Sequence, residues 1–72
     1  MEDKKTLATL RREKQMSQRE LAKKLNMSSG AIAMYESGKR IPPLVKAIKI
    51  AELFKVPVEN INFSNVESNQ NT

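Results

Sequence analysis

The chain has no cysteine, no histidine and no tryptophan. Without cysteine there is neither a disulfide staple nor a thiolate metal ligand, which fits a reducing cytoplasm. The lack of histidine removes the commonest metal ligand and the commonest general base together. No nucleophile-base pair, metal cluster or phosphate-cradling glycine loop is visible, so neither an enzyme nor a cofactor nor a metal is expected. The only aromatic residues are Tyr35, Phe54 and Phe63, too few for the stacking series used on single-stranded nucleic acid. Apolar stretches such as IKIAELF are cut by charges, and the opening MEDKKT has no hydrophobic signal segment. A soluble, cytoplasmic chain with no membrane partner is the expectation.

The 72 residues leave room for one domain. A chain this short buries only about 60% of its unfolded surface, which favours a compact, largely helical core. The domain is expected over residues 1–63, with 64–72 a polar, disordered tail that is either native or the stub of something longer.

Ser17 stands three residues before Glu20, the spacing of a capping box, in which each side chain satisfies a backbone N–H at the other's position. Leu21, Ala22 and Leu25 follow at helical spacing with Arg19, Lys23 and Lys24 outside them, so a helix is predicted from Gln18 to Leu25. Asn26 tolerates positive φ and can close that helix as glycine would. Ser28 or Ser29 can cap a second helix with Ala31, Ile32 and Tyr35 inward, and Gly38 supplies its stop. The two patterns form a helix-turn-helix. Ser17 to Pro42, with S-Q-x-E-L-A, N-M-S, Y-E-S-G and K-R-I-P in step, resembles the DNA-binding domain of the lambda-repressor and Cro (XRE-like) type, and the similarity extends from about Leu7 to Ile61.

Around this motif the periodicity predicts a first helix over Lys4 to Lys14, with Leu7 and Leu10 inward. Pro43 suits the first turn of a further helix running to Phe54. That helix carries one charged stripe, Lys46, Lys49 and Glu52, and should therefore be buried on most of its circumference. A last short helix or turn is expected over Val58 to Ile61, with Val56 and Ile61 closing the core. The expected architecture is all-α, a bundle of four to five short helices like that of lambda repressor.

Charge is unevenly placed. Residues 1–43 carry ten Lys or Arg against five Asp or Glu, whereas residues 44–72 carry three against three. The net charge of +5 therefore sits with the helix-turn-helix, and a polyanion is its natural partner because neutralised phosphates release counterions.

The resemblance implies that the helix over 28–37 lies in the major groove of double-stranded DNA while the preceding helix crosses the backbone. It further implies that Ser17 and Gln18 form the phosphate-facing start of that preceding helix. Gln18 is expected to span a phosphate and the start of the recognition helix. Ser28, Ser29, Gly30, Ala33, Met34 and Ser37 would face the bases, and Lys39 and Arg40 the sugar-phosphate backbone, with Arg19, Lys23 and Lys24 as further candidates. Lacking Arg, Asn and Gln, this face is suited to A·T-leaning readout helped by groove shape and water. Met34 either packs on thymine methyls or fills a core crevice. Arg11 is implied to pair with Glu36 as a structural lock.

A homodimer is expected, because one such module contacts few base pairs. Val45, Ile50, Leu53, Val58 and Phe63 are the candidate contact surface, although all could instead be core. The expected function is a transcription regulator, more readily a repressor than an activator, on a palindromic operator. The alternative is a protein-interaction module, an antitoxin or anti-repressor, that captures a partner through the helix over 44–54. Any protein antagonist remains unknown from sequence.

Overall fold

A computed structural model describes residues 4–63. Four α-helices follow one another: α1 (Leu7–Glu13), α2 (Gln18–Leu25), α3 (Ser29–Ser37) and α4 (Leu44–Phe54), then a single 3-10 turn at Val58–Asn60. Two short strands, β1 (Lys5–Thr6) and β2 (Ile61–Asn62), pair in parallel with Lys5 opposite Ile61 and Thr6 opposite Asn62. The all-α expectation holds, and the strand pair ties the two ends of the domain together.

The predicted first helix is corrected at its start. Lys5 and Thr6 are drawn into the strand pair, and Thr6 is the N-cap, its hydroxyl accepting from the Thr9 N–H at 3.1 Å. At the other end α1 stops at Glu13, and Gln15 takes a left-handed conformation at φ 58°.

The same device closes α2 and α4. Asn26 and Lys55 each sit at φ 59°. In all three cases the next residue donates its N–H back five positions: Met16 to Arg11 at 3.2 Å, Met27 to Ala22 at 2.9 Å and Val56 to Ala51 at 3.1 Å. This is the Schellman pattern, in which the residue after the left-handed one folds an apolar side chain against the helix it ends. Met16, Met27 and Val56 are indeed half-buried and packed against the core. Gly38, at φ 80°, closes α3, where a left-handed backbone favours a residue with no Cβ.

The core gathers Leu7 and Leu10 of α1, Leu21, Ala22 and Leu25 of α2, Ile32 and Tyr35 of α3, Ile50, Ala51 and Phe54 of α4, and Ile61. Leu7, Leu21, Ile32 and Ile50 are fully enclosed. Fully burying aliphatic side chains of this size contributes roughly 1.5–3 kcal/mol each.

The sequence expectation for α4 fails on one side. Ala47, Ile50, Ala51 and Phe54 form its buried stripe, but Leu44 is 68% exposed, Val45 71% and Ile48 40%, with Ile41 just ahead of the helix at 62%. Hydrophobicity nearly all round a helix signals burial only if neighbours exist on every side, and a domain of four short helices covers one flank. The candidate dimer surface is corrected as well: Ile50 is wholly core, Leu53, Val58 and Phe63 are packed against the core, and of that set only Val45 is exposed. The predicted tail, 64–72, lies outside the described residues.

Candidate nucleic-acid interface

The start of α2 is fixed by a complete capping box. The Glu20 N–H donates to Ser17 Oγ at 3.0 Å, and the Ser17 N–H donates to Glu20 Oε1 at 2.7 Å. The hydroxyl of Ser17 is thereby committed to the helix. The first-turn N–H groups of Gln18 and Arg19 lie outside this box and point along the axis at the positive end of the helix dipole.

Gln18 departs from its expected role. Its Nε2 donates to Glu36 Oε1 at 3.0 Å, so the side chain ties the start of α2 to the closing turn of α3, not to its beginning. Arg11 reaches the same carboxylate from α1: Nε donates to Oε2 at 2.6 Å and Nη2 to Oε1 at 3.1 Å, while Nη1 donates to the Met16 carbonyl at 2.9 Å. One guanidinium thus joins α1, the α1–α2 link and α3. The two side chains are only 12% and 8% exposed, and a bidentate guanidinium–carboxylate pair suits so enclosed a place. Burial pushes the Glu36 carboxyl up, but the hydrogen bonds from Arg11 and Gln18 and the nearby positive charges of Arg11 and Arg12 together hold it below the usual carboxylate range. The hydrogen bond to Glu36 raises the Arg11 guanidinium against the opposing effect of its own burial.

Braced from behind, α3 turns Ile32 and Tyr35 into the core and leaves the opposite side to solvent. Ser28, Ser29, Gly30, Met34 and Ser37 are exposed and Ala33 is half-buried. Met34, at 40% exposed, belongs to this outer face and not to a core crevice. Two of the serines are already employed. Ser28 Oγ accepts the Ala31 N–H at 3.0 Å as the helix cap, and Ser37 Oγ donates to the Met34 carbonyl at 3.1 Å and accepts the Lys39 N–H at 3.4 Å. Ser37 thus shapes the turn into the Lys39–Arg40 loop, which the Arg40 N–H anchors to the Met34 carbonyl at 3.2 Å.

Lys39 and Arg40 are exposed, as are Arg19, Lys23 and Lys24 on α2. Lys39 and Arg40 thus follow the small-side-chain outer face of α3 directly, whereas Lys24 lies by Leu53 and Phe54 of α4. Two residues that set the ends of α1, Thr6 and Gln15, have no assigned part on sequence grounds, whereas Met16, expected only as the link to α2, also accepts from Arg11. Of these, only Thr6 carries a local signal, a hydroxyl three residues before Thr9. Among the described residues no three of Asp and Glu come together as a metal cluster would require, and no helix is long and apolar enough to cross a membrane.

A capped helix bracing a second, outward-facing one across a tight turn defines a helix-turn-helix protein. The helix-turn-helix family model matches residues 7–61, and the chain belongs to that family, in its lambda-repressor/Cro (XRE-like) branch. Over 46 residues, 64% of this chain and 70% of the relative, it is 46% identical to an uncharacterized HTH-type transcriptional regulator of Methanocaldococcus jannaschii. No solved structure matches the chain.

Proposed function

We propose that this protein is a sequence-specific double-stranded DNA-binding transcription regulator that inserts α3 into the major groove. The observation that carries this reading is the outer face of α3. It holds nothing bulkier than Met34, is followed directly by the exposed Lys39 and Arg40, and is braced by the Arg11–Glu36–Gln18 cluster. Family membership and the regulator among its relatives support it.

In this reading the N–H groups of Gln18 and Arg19 meet one phosphate, and Lys39 and Arg40 meet the backbone beyond α3. Bases are read by Ser29, Ala33 and Met34, with Gly30 allowing close approach. Because this face has no side chain that pairs bidentately with guanine or adenine, A·T-rich half-sites read through methyl contacts and groove shape are the expected targets. A repressor that excludes polymerase from a palindromic operator is the simplest mode of action, with half-sites one helical turn apart, about 34–36 Å.

Selection of duplexes from a random pool at two salt concentrations tests the proposal. Enriched A·T-leaning inverted repeats whose affinity falls steeply with salt are expected. Guanine-centred half-sites would refute the mode of readout, and no salt-sensitive binding would refute the function. The rival reading, an antitoxin or anti-repressor that captures another protein through α4, draws on the exposed α4 stripe but leaves the basic excess of residues 1–43 unexplained.

A further inference from the structure

Lys14, Lys23 and Lys24 are exposed and have no part in the DNA reading, which rests on α3, the start of α2 and the Lys39–Arg40 loop. Among the described residues the ion pairs are Lys5 with Glu13 and Arg11 with Glu36, so no described carboxylate neutralises these three lysines. The left-handed turn at Gln15 folds Met16 back against the core. Met16, with Leu53 and Phe54 of α4, floors an open cleft of about 290 Å³ that is otherwise lined by Lys14 and Lys24, with no carboxylate in its walls. This cleft shares Met16 and Lys24 with a depression that adds Lys23, and it shares Lys14 and Phe54 with another of about 450 Å³ that adds Leu10 and Val56. The carboxylates at those two margins are committed elsewhere, Glu20 to the cap of α2 and Glu13 to Lys5. No residue of α3 lines any of the three.

We propose that this cleft takes an acidic segment of another protein, which seats one apolar side chain on Met16 and Leu53 and sets its carboxylates against Lys14, Lys23 and Lys24. The site is separate from the DNA-binding surface and does not depend on it. Charge complementarity sets the sign of the partner, because the cleft offers unneutralised cations and no uncommitted carboxylate. The apolar floor selects a polypeptide over a nucleic acid, whose phosphates would meet the lysines but whose bases would find no stacking face, Phe54 being only 5% exposed. The form of the cleft selects a chain over a compact small molecule. It runs on into its neighbours, and among the described residues no buried polar group exists to fix a small ligand's orientation. A second copy of this chain would bring its own +5 to a basic surface. Basic clusters are a recurring means of capturing acidic peptide motifs, and an apolar anchor supplies affinity that exposed charges alone do not.

The test pans a displayed library of random peptides against the full chain and titrates the enriched peptides into it. Sequences with Asp or Glu on both sides of a Leu, Met or Phe are expected, with amide shifts centred on Met16 and Leu53 and affinity that falls with salt. Lys14→Glu/Lys24→Glu reverses charge at two exposed positions, so it should keep its melting temperature while weakening these peptides at least about tenfold. Lys4→Glu/Lys46→Glu makes the same change in net charge outside the cleft and should weaken them far less. No enrichment, enriched peptides without acidic residues, shifts centred on α3 or on the Ile41–Ile48 flank, or equal losses in the two variants would overturn the proposal. So would dodecanoate or oligothymidylate that binds more tightly than the peptides and moves the same amides, which would assign the cleft to a lipid or a single strand. Duplex binding is measured separately: its absence from wild type would remove the DNA-binding reading and leave this site standing.

Discussion

Arg11 and Glu36, 25 residues apart in sequence, meet in a two-point ion pair with Nε–Oε2 at 2.6 Å and Nη2–Oε1 at 3.1 Å. The pair fixes α3 at its last turn, and Gln18 adds α2 through the same carboxylate. Glu36→Ala would leave a nearly enclosed guanidinium with the Met16 carbonyl as its remaining acceptor. Stranding one partner of such a pair costs about 3–5 kcal/mol, and the residual exposure here favours the lower end. For a domain of this size each kcal/mol lowers the melting temperature by roughly 4–8 °C, so thermal denaturation should show a loss above about 10 °C. An unchanged melting temperature would deny the pair its structural role. Arg11→Met/Glu36→Leu, which removes both charges, should recover much of the loss.

The same carboxylate makes stability depend on pH. Glu36 is held below its ordinary value of 4.5 in the folded chain, so the unfolded chain takes up a proton first as the solution is acidified. The contribution of Glu36 is therefore complete above about pH 4.5 and is lost as pH falls through its lower folded value. Urea midpoints for Glu36→Gln should run below wild type at pH 7 and converge with it toward pH 3. Parallel curves across that range would contradict the assignment.

How far the sequence alone reveals this molecule depends on whether the signal is local. Ser17 with Glu20, Asn26 and Gly38 carry their reasons in their own side chains, and α2, α3 and the turn between them fall where those residues place them. Gln15 and Lys55 occupy the same left-handed backbone as Asn26 with no local preference for it. What holds them there is the packing of Met16 and Val56 on the core, information spread over the tertiary structure. The exposed flank of α4 escaped for the converse reason: periodicity reports how apolar a helix is, not whether a neighbour exists to cover it. Gln18 begins α2, where the capping-box spacing places it, but its side-chain partner, Glu36, depends on a crossing geometry that no spacing encodes.

Lys55 offers a direct check on that account. A residue with a Cβ in the left-handed region is strained by roughly 1–2 kcal/mol relative to glycine, offset in part by the greater freedom glycine has when unfolded. Lys55→Gly should therefore stabilise the domain by about 0.5–1 kcal/mol, seen as a higher urea midpoint with unchanged slope. Destabilisation would mean that the lysine side chain contributes packing beyond its backbone role.

Lys39 tests the electrostatic half of the interface. It is exposed, and only its backbone N–H is held, by Ser37 Oγ, so replacing the side chain with alanine should leave the fold intact. If its ammonium neutralises a phosphate, Lys39→Ala lowers affinity for every duplex alike and reduces the slope of log affinity against log salt by about one. An unchanged slope would show that the side chain is merely solvated.

Gly30 separates what the fold needs from what the partner needs. It lies in the first turn of α3 without positive φ, and a Cβ built there would meet only Ser28 Oγ at 3.9 Å, an ordinary contact. The fold therefore gives no reason for glycine, which in a helix is less favourable than alanine by roughly 0.5–1 kcal/mol. Gly30→Ala should raise the melting temperature slightly. Should the backbone of this turn approach the groove floor, the added methyl displaces α3 outward, and affinity for the selected operator falls while affinity for random duplex, carried by phosphate contacts, stays the same. A variant both more stable and equally tight on its operator would show that the start of α3 stands clear of the bases, and readout would then shift to Ala33 and Met34.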